Sequence, residues 1–299
     1  MDLIISILEQ GLIFSLMALG VYITYKILDF PDLSVDGTFA LGASVTAALL
    51  VKDINPVVAT SVSIIAGCMG GIATGILHVK FKITNLLSSI LVMTALYSVN
   101  LRIMGKSNIP LFNQNTVFNI NIEPIFIIAI IAFLVKTLLD VFLRTKLGFA
   151  LKACGDNEKL ITSLGIDIGS IKIIGLMVSN GLVALSGSLL AQYQGFSDVT
   201  MGAGIIVMGL ASVIFGEAVL KKFSFIKTTT MAVIGSILYK FSTALALKIG
   251  FNPADLKLIT ALIVVVAIAS NNSSFKLNLN FIKRGDRNDS NKKLMQNIQ

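Results

Sequence analysis

Residues 144–172 read RTKLGFALKACGDNEKLITSLGIDIGSIK, the one long polar interruption in a chain of apolar blocks. Within this stretch, Gly155-Asp156-Asn157-Glu158 is a turn made of residues that favour the start of a helix. Three apolar residues then share one face: Leu160, Ile161 and Leu164. Gly165 can end the helix. The pattern predicts a short amphipathic helix at about 155–166, which either docks a soluble partner or lies on the bilayer surface.

The composition is that of a membrane protein. Of the 299 residues, 55% are hydrophobic and 13% are charged, and the mean hydropathy is +0.86. A soluble domain carries about 25% charged residues. The formal net charge is +8, but the basic residues are scattered over short loops and the C-terminal region, as in proteins whose loop charges orient membrane spans. The sequence therefore predicts an all-α polytopic membrane protein and no nucleic-acid partner.

Apolar blocks predict about nine transmembrane passes within residues 1–272. The blocks are 3–28, 38–51, 56–78, 86–104, 122–143, 171–193, 200–220, 228–248 and 256–270. Because block 38–51 is too short to cross untilted, it is expected either to span with its flanks or to be a broken helix. Before it, Pro31 ends one helix, and Ser34 or Asp36 is expected to cap the next. In block 56–78, Gly67, Gly71 and Gly75 predict close packing against another helix.

Residues 273–299 are rich in Asn, Lys and Arg and are predicted to form a basic cytoplasmic tail. Alternation from this tail places three other basic loops on the same side. These loops contain Lys80 and Lys82, residues 144–172, and Lys221, Lys222 and Lys227. The positive-inside rule then puts the C-terminus in the cytoplasm and the N-terminus outside.

Two motifs resemble those of a known transporter family. The frame Gly155-x-Asn157-Glu158, followed by Gly165-Ile166, resembles the coupling loop of the ABC-importer permeases for branched-chain amino acids, ribose and related solutes. Lys159 and Leu160 stand where that motif usually has small alanines. The run Asp32-Leu33-Ser34-Val35 resembles a signature of sugar permeases in this superfamily. The longer string 29–43 is more similar to the amino-acid importer branch, whose studied members serve aromatic amino acids.

The resemblance implies a type II ABC-importer fold and a binding-protein-dependent importer in the bacterial plasma membrane. The implied solute is an amino acid, and aromatic amino acids are among the candidates. Two permease copies would form the pathway as a homodimer. Two ABC ATP-binding subunits would dock on the coupling helices, and an extracytoplasmic solute-binding lipoprotein would deliver the solute. The residues expected to couple to the ATPase are Asn157, Glu158, Leu160, Ile161, Leu164 and Gly165.

The chain itself is expected to bind no cofactor and to be a transport subunit rather than an enzyme. Its only resemblance to a phosphate loop is Gly105-Lys106-Ser107, and Asn100 stands where the first glycine of that motif is required. ATP and Mg²⁺ are therefore expected in the partner subunit. His78, Cys68 and Cys154 lack partners at metal-ligand spacing, so no metal site is expected.

The alternative is a secondary transporter or channel that works alone, because such proteins carry ionisable residues near the bilayer midplane. The candidates are Glu9, the Lys136/Asp140 pair and Lys240. Glu9 is expected to face other helices, a cavity or the interface. Lys240 either lines the pathway, where it could attract a carboxylate or hold Glu9 as a closed gate, or snorkels to the outer interface. The sequence shows no central relay of carboxylates, which favours the ABC permease.

Overall fold

The computed structural model describes residues 2–120, 122–163, 165–220 and 226–250, together with Asp255, Leu258, Ala261, Leu262 and Val265. This part of the chain is mostly helical, as predicted, with one small antiparallel sheet. The helices are α1 (Asp2–Val21, continued by a π-helical segment Tyr22–Ile27), α2 (Ser34–Leu50), α3 (Pro56–Val79), α4 (Asn85–Met104), α5 (Pro124–Phe142), α6 (Lys146–Asp156), α7 (Glu158–Ser163), α8 (Ile168–Gln194), α9 (Ile205–Leu220) and α10 (Thr228–Ile249). The strands are β1 (Asn108–Pro110) and β2 (Phe196–Asp198).

Six helices in the described residues are long and apolar enough to cross a membrane: α1 with its π-helical segment, α3, α4, α5, α8 and α10. Two more apolar helices, α2 and α9, are shorter. Most of the predicted block 256–270 and the whole predicted tail at 273–299 lie outside the described residues. The polytopic helical architecture is thus confirmed, whereas the count of nine passes stays a prediction.

Helix α8 lies at the centre of the bundle, and the glycines of α3 pack against it. A methyl group on Gly71 would lie 2.2 Å from the carbonyl oxygen of Leu176, and one on Gly67 would lie 2.6 Å from that of Asn180. Only residues without a side chain permit this approach of two backbones. The close packing predicted from the glycine spacing is therefore confirmed, and it serves a contact inside the chain.

Helix α2 begins inside the bundle. Its first residue, Ser34, donates from the backbone N–H and the hydroxyl to Asp32 Oδ1 at 2.9 and 2.5 Å. Asp32 Oδ2 accepts from Asn180 Nδ2, near the middle of α8, at 2.8 Å. Asp32 is buried. Block 38–51 therefore belongs to a 17-residue helix that starts beside the midpoint of α8, and its first N–H group is paired with Asp32 instead of the predicted Ser34 or Asp36.

Helix α9 also begins inside the bundle, so the helix occupies only part of the predicted block 200–220. Turns at 199–204 precede a helix of only 16 residues. The Asp36 carboxylate accepts from the backbone N–H groups of Gly204 and Ile206, both at 2.8 Å. The predicted cap Asp36 thus serves α9, which is far away in sequence, because tertiary packing brings the N-terminal ends of α2 and α9 together.

The polar loop at 144–172 and the two strands lie at opposite ends of α8. This helix has 27 residues and is therefore about 40 Å long. It follows α7 at its N-terminal end and leads into β2 through Gly195 at its C-terminal end, where Ile109 of β1 pairs with Ser197 of β2. The length of α8 separates these two surfaces by at least the thickness of a bilayer.

Candidate functional site

The polar interruption at 144–172 contains two helices where the sequence predicted one. Helix α6 is capped by Thr145, whose hydroxyl accepts from the N–H of Gly148 at 3.3 Å. The predicted turn at 155–158 is shorter than expected, because Gly155 and Asp156 belong to α6, Glu158 begins α7, and only Asn157 separates the two helices. Helix α6 was missed because Gly148 and Gly155 lower its helix propensity. Burial of Leu151 and Cys154 in the bundle compensates for this weakness, and burial also raises the pKa of the Cys154 thiol.

Helix α6 is seated directly on the end of α1. A methyl group on Gly155 would lie 1.9 Å from the carbonyl oxygen of Ile27, the last residue of the π-helical segment. Any larger side chain at Gly155 would push α6 away from this contact. The loop at 144–172 is therefore in direct backbone contact with the end of α1 and its π-helical segment.

Helix α7 is held by contacts at its start and end. Asn157 Oδ1 accepts from the N–H of Lys159 at 3.1 Å, and Glu158 Oε1 forms an ion pair with Lys172 Nζ of α8 at 2.6 Å. Gly165 has φ +74°, the left-handed conformation expected of the residue that ends a helix. Asn157, Glu158 and Gly165 thus occupy the positions that the motif implied.

The sequence predicted that α7 turns its apolar face outward, and the described side chains of α7 differ from this prediction. Ile161 is only 2% exposed and faces the helical bundle. Lys159, Thr162 and Ser163 are exposed. Leu164 and the side chain of Leu160 lie outside the described residues. The outward surface of α7 is therefore polar where it is described, and Ile161 packs α7 against the bundle.

Asp167 is the N-cap residue of α8, the helix that follows the loop. Asp167 Oδ1 accepts from the N–H of Gly169 at 3.0 Å, and Oδ2 accepts from the N–H of Ser170 at 3.1 Å and from its hydroxyl at 2.6 Å. The Ser170 hydroxyl and these N–H groups hold the pKa of Asp167 below its usual value. The charged carboxylate stabilises the start of α8 next to α7.

A cavity of about 350 Å³ opens between α2, α4 and the turn before α9. Its lining consists of Asp36, Gly37, Ala40, Met93, Thr94, Tyr97, Asn100, Val199, Thr200, Gly202, Ala203 and Gly204. Asp36 binds both N–H groups at the start of α9, so it offsets the positive partial charge of two helix ends that meet here. Transporters commonly bind solutes at such interrupted helices.

Asn100 lies in the wall of this cavity and is 1% exposed. Its Nδ2 donates to the carbonyl oxygen of Gly37 at 3.2 Å. Its Oδ1 is buried and has no hydrogen-bond partner among the described residues. From the sequence alone, Asn100 was considered only as the residue in place of a phosphate-loop glycine, although a polar side chain in an apolar block is itself a signal of function.

Glu9 and Lys240 lie near one another along α1 and α10 but have different partners. Glu9 is buried and accepts from the Tyr193 hydroxyl of α8 at 2.7 Å. Lys240 Nζ lies 3.8 Å from the centre of the Phe14 ring and 3.5 Å from Gln10 Oε1. No ion pair joins Glu9 and Lys240 in the described part of the chain. The structure thus places Glu9 against other helices and does not show the predicted gate.

The predicted pair Lys136/Asp140 is present, with the nitrogen and oxygen 3.1 Å apart. Asp140 also binds Lys227 Nζ at 2.8 Å and accepts from the Thr229 hydroxyl at 2.6 Å. The cluster therefore connects α5 to the start of α10. These contacts pair the negative charge of Asp140 with two lysines and a hydroxyl, so we interpret the cluster as structural.

A polytopic helical bundle with interrupted helices and a structured loop between two spans defines the class of the protein, which is the permease subunit of an ABC-type importer. The chain belongs to the family described as "branched-chain amino acid transport system / permease component", which matches residues 3–269. The membership predicted from the two motifs is thus confirmed.

Among curated relatives, the tyrosine transport system permease protein of Clostridioides difficile (strain R20291) is 58% identical over 92% of this chain and 93% of its own length. The ribose import permease protein RbsC of Escherichia coli (strain K12) is 25% identical over 71% of this chain and 68% of its own length. Among solved structures, PsaBC from Streptococcus pneumoniae in complex with Fab is similar, with a TM-score of 0.54 and 12% identity over 87% of this chain and 89% of that chain. This last similarity shows the fold alone.

Proposed function

We propose that this permease imports an amino acid, and that the solute is aromatic, with tyrosine as the first candidate. One observation carries the proposal: 58% identity over 92% of the chain to a protein named as a tyrosine transport permease. At 25% identity the ribose permease is a much more distant relative. Tyr97 and Met93 in the cavity wall support the aromatic assignment, because both side chains pack well against an aromatic ring.

In the proposed assembly two copies of the chain form the pathway, and two ABC ATP-binding subunits dock on the two α7 helices. A solute-binding lipoprotein delivers the amino acid from outside. ATP and Mg²⁺ bind in the ATP-binding subunits, where hydrolysis takes place. Each permease crosses the membrane about nine times, with the N-terminus outside and the C-terminus in the cytoplasm. The basic residues of the loop at 144–172 support this orientation through the positive-inside rule, and the length of α8 puts the strands on the opposite side.

Coupling would act through α6 and α7 together. Closure of the ATP-binding subunits would displace α7, and the Glu158–Lys172 ion pair and the Gly155–Ile27 contact would transmit this displacement to α8 and α1. Both helices belong to the core that surrounds the interrupted helices α2 and α9. A shift of this core would open the pathway first to one side of the membrane and then to the other.

The test is uptake of labelled solutes by proteoliposomes that contain the permease and its ATP-binding subunit, with the binding protein added outside and ATP inside. Tyrosine should be taken up only with ATP, and ribose should not. An ATP-binding subunit with its phosphate-loop lysine replaced by alanine should abolish uptake. Transport of ribose in place of amino acids would refute the assigned solute class, and equal uptake without the ATP-binding subunit would support a transporter that works alone.

A further inference from the structure

The cavity between α2, α4 and α9 contains a hydrogen-bond acceptor that the described chain does not satisfy. Asn100 Oδ1 has no partner among the described residues, although Asn100 Nδ2 is fixed by the carbonyl oxygen of Gly37. Because the Nδ2 atom of the Asn100 amide is the donor to Gly37, the Oδ1 atom of the same amide is the acceptor that has no partner among the described residues. Buried polar atoms in native proteins are nearly always paired. A donor from outside the described residues would satisfy this atom.

The remaining polar groups of the lining decide which donor fits. They are the carboxylate of Asp36 and the hydroxyls of Thr94, Tyr97 and Thr200. The described lining contains no lysine, arginine or histidine. A site with a carboxylate and amide or hydroxyl oxygens, and without a cation, favours the ammonium end of a zwitterion over its carboxylate end.

Size and position also suit a small solute. The cavity volume of about 350 Å³ falls in the range of roughly 300–1,000 Å³ that is usual for small-molecule sites. Tyr97 is 52% exposed and presents its ring to this space. The cavity lies where the starts of α2 and α9 meet, and interrupted helices of this kind surround the solute in other transporters.

We propose that this cavity is a solute-contact site within the permease, in which Asn100 Oδ1 accepts a hydrogen bond from the α-ammonium group of the amino acid in transit. This inference rests on the proposed function, because only an amino acid, and not a sugar, carries that group. Asn100 acts here as a binding residue, and the ring of Tyr97 packs against the side chain of the solute.

The experiment measures protection of a cysteine in the cavity, using the permease bound to its ATP-binding subunit in nanodiscs. The native Cys68 and Cys154 are replaced by alanine in every variant. Thr94→Cys then reports on the cavity through its rate of reaction with N-ethylmaleimide. Ser107→Cys, at an exposed position before β1 and outside the cavity, is the matched control. Three ligands are compared: tyrosine, phenylalanine, and 3-(4-hydroxyphenyl)propionate, which lacks the ammonium group.

Tyrosine and phenylalanine should slow the reaction of Thr94→Cys several-fold and leave Ser107→Cys unaffected. The analogue without the ammonium group should protect poorly. Adding Asn100→Leu should raise the tyrosine concentration for half-protection about tenfold or more, the usual effect of losing a hydrogen bond to a charged group. Asn100→Asp keeps an acceptor oxygen and should retain protection.

Equal protection by the analogue and by tyrosine would overturn the ammonium contact, and unchanged protection in Asn100→Leu would overturn the role of Asn100. If Asn100→Leu does not associate with the ATP-binding subunit, the three ligands still decide the matter on Thr94→Cys alone. Uptake of tyrosine by the unsubstituted complex tests the proposed function separately. If uptake occurs and no ligand protects Thr94→Cys, only the cavity assignment is wrong.

Discussion

The carboxylate of Asp36, in the first turn of α2, accepts a hydrogen bond from the backbone N–H of Ile206, the second residue of α9, at 2.8 Å. Gly204 donates to the other carboxylate oxygen. The start of α9 is therefore held by a half-buried carboxylate from the first turn of α2. Because the first N–H groups of a helix have no partner within it, Asp36 makes this interior start of α9 possible.

Asp36→Ala should destabilise the permease. It leaves two backbone donors unpaired, and each costs about 1–3 kcal/mol when it is buried. We expect a fall of several degrees in the melting temperature of the purified complex, measured by a thermal shift assay in detergent. Asp156→Ala, at the exposed end of α6, is the control and should melt like the unsubstituted protein. An Asp36→Ala variant with an unchanged melting temperature would show that water or another group satisfies both N–H groups.

Thr162→Trp should weaken docking of the ATP-binding subunit without unfolding the permease. Thr162 is exposed on α7, so a large side chain there obstructs a partner and not the core. We expect affinity for the ATP-binding subunit to fall roughly tenfold or more, as for central interface positions, measured by co-purification and by titration in nanodiscs. Asn115→Trp, an exposed change at the strand end of the bundle, should leave this affinity intact. Normal docking of Thr162→Trp would exclude this face of α7 from the interface.

Lys240→Met should lower amino-acid uptake several-fold while the complex still assembles. The ammonium group lies above the Phe14 ring and lines a cavity of about 500 Å³ together with Lys248, where it can attract a carboxylate. Methionine keeps much of the apolar stem, so packing is largely preserved. Lys240→Arg should retain most of the uptake, and Lys52→Met, at an exposed position, all of it. Uptake by Lys240→Met that matches the unsubstituted protein at every solute concentration would make Lys240 an interfacial anchor.

Cysteines introduced at Asn115 and Ser290 should react from opposite sides of the membrane. Asn115 lies in the loop after β1, at the far end of α8 from α7, and Ser290 lies in the predicted tail outside the described residues. A membrane-impermeant maleimide added to intact cells should label Asn115→Cys, and it should label Ser290→Cys only after the membrane is opened. Labelling of both in intact cells would contradict the proposed orientation.

The sequence by itself determined the class of protein and the place of its structured polar loop at 144–172. Long apolar blocks can satisfy their backbone groups in lipid only as helices, so composition alone predicts a helical bundle. The frame from Gly155 to Ile166 lies between two such blocks, and its glycines and cap residues act locally. Asn157 and Gly165 therefore take the roles that short-range rules assign to them.

Only the tertiary structure decided where α2 and α9 begin and which polar groups face a cavity. Asp36 looks like the cap of its own helix, and its partners Gly204 and Ile206 lie 168 and 170 residues away. Asn100 differs from other polar side chains of the apolar blocks because packing buries its Oδ1 without a donor among the described residues. Local patterns carry no information on such distant pairings, since the free energy that selects them comes from packing the whole bundle and pairing its buried polar groups.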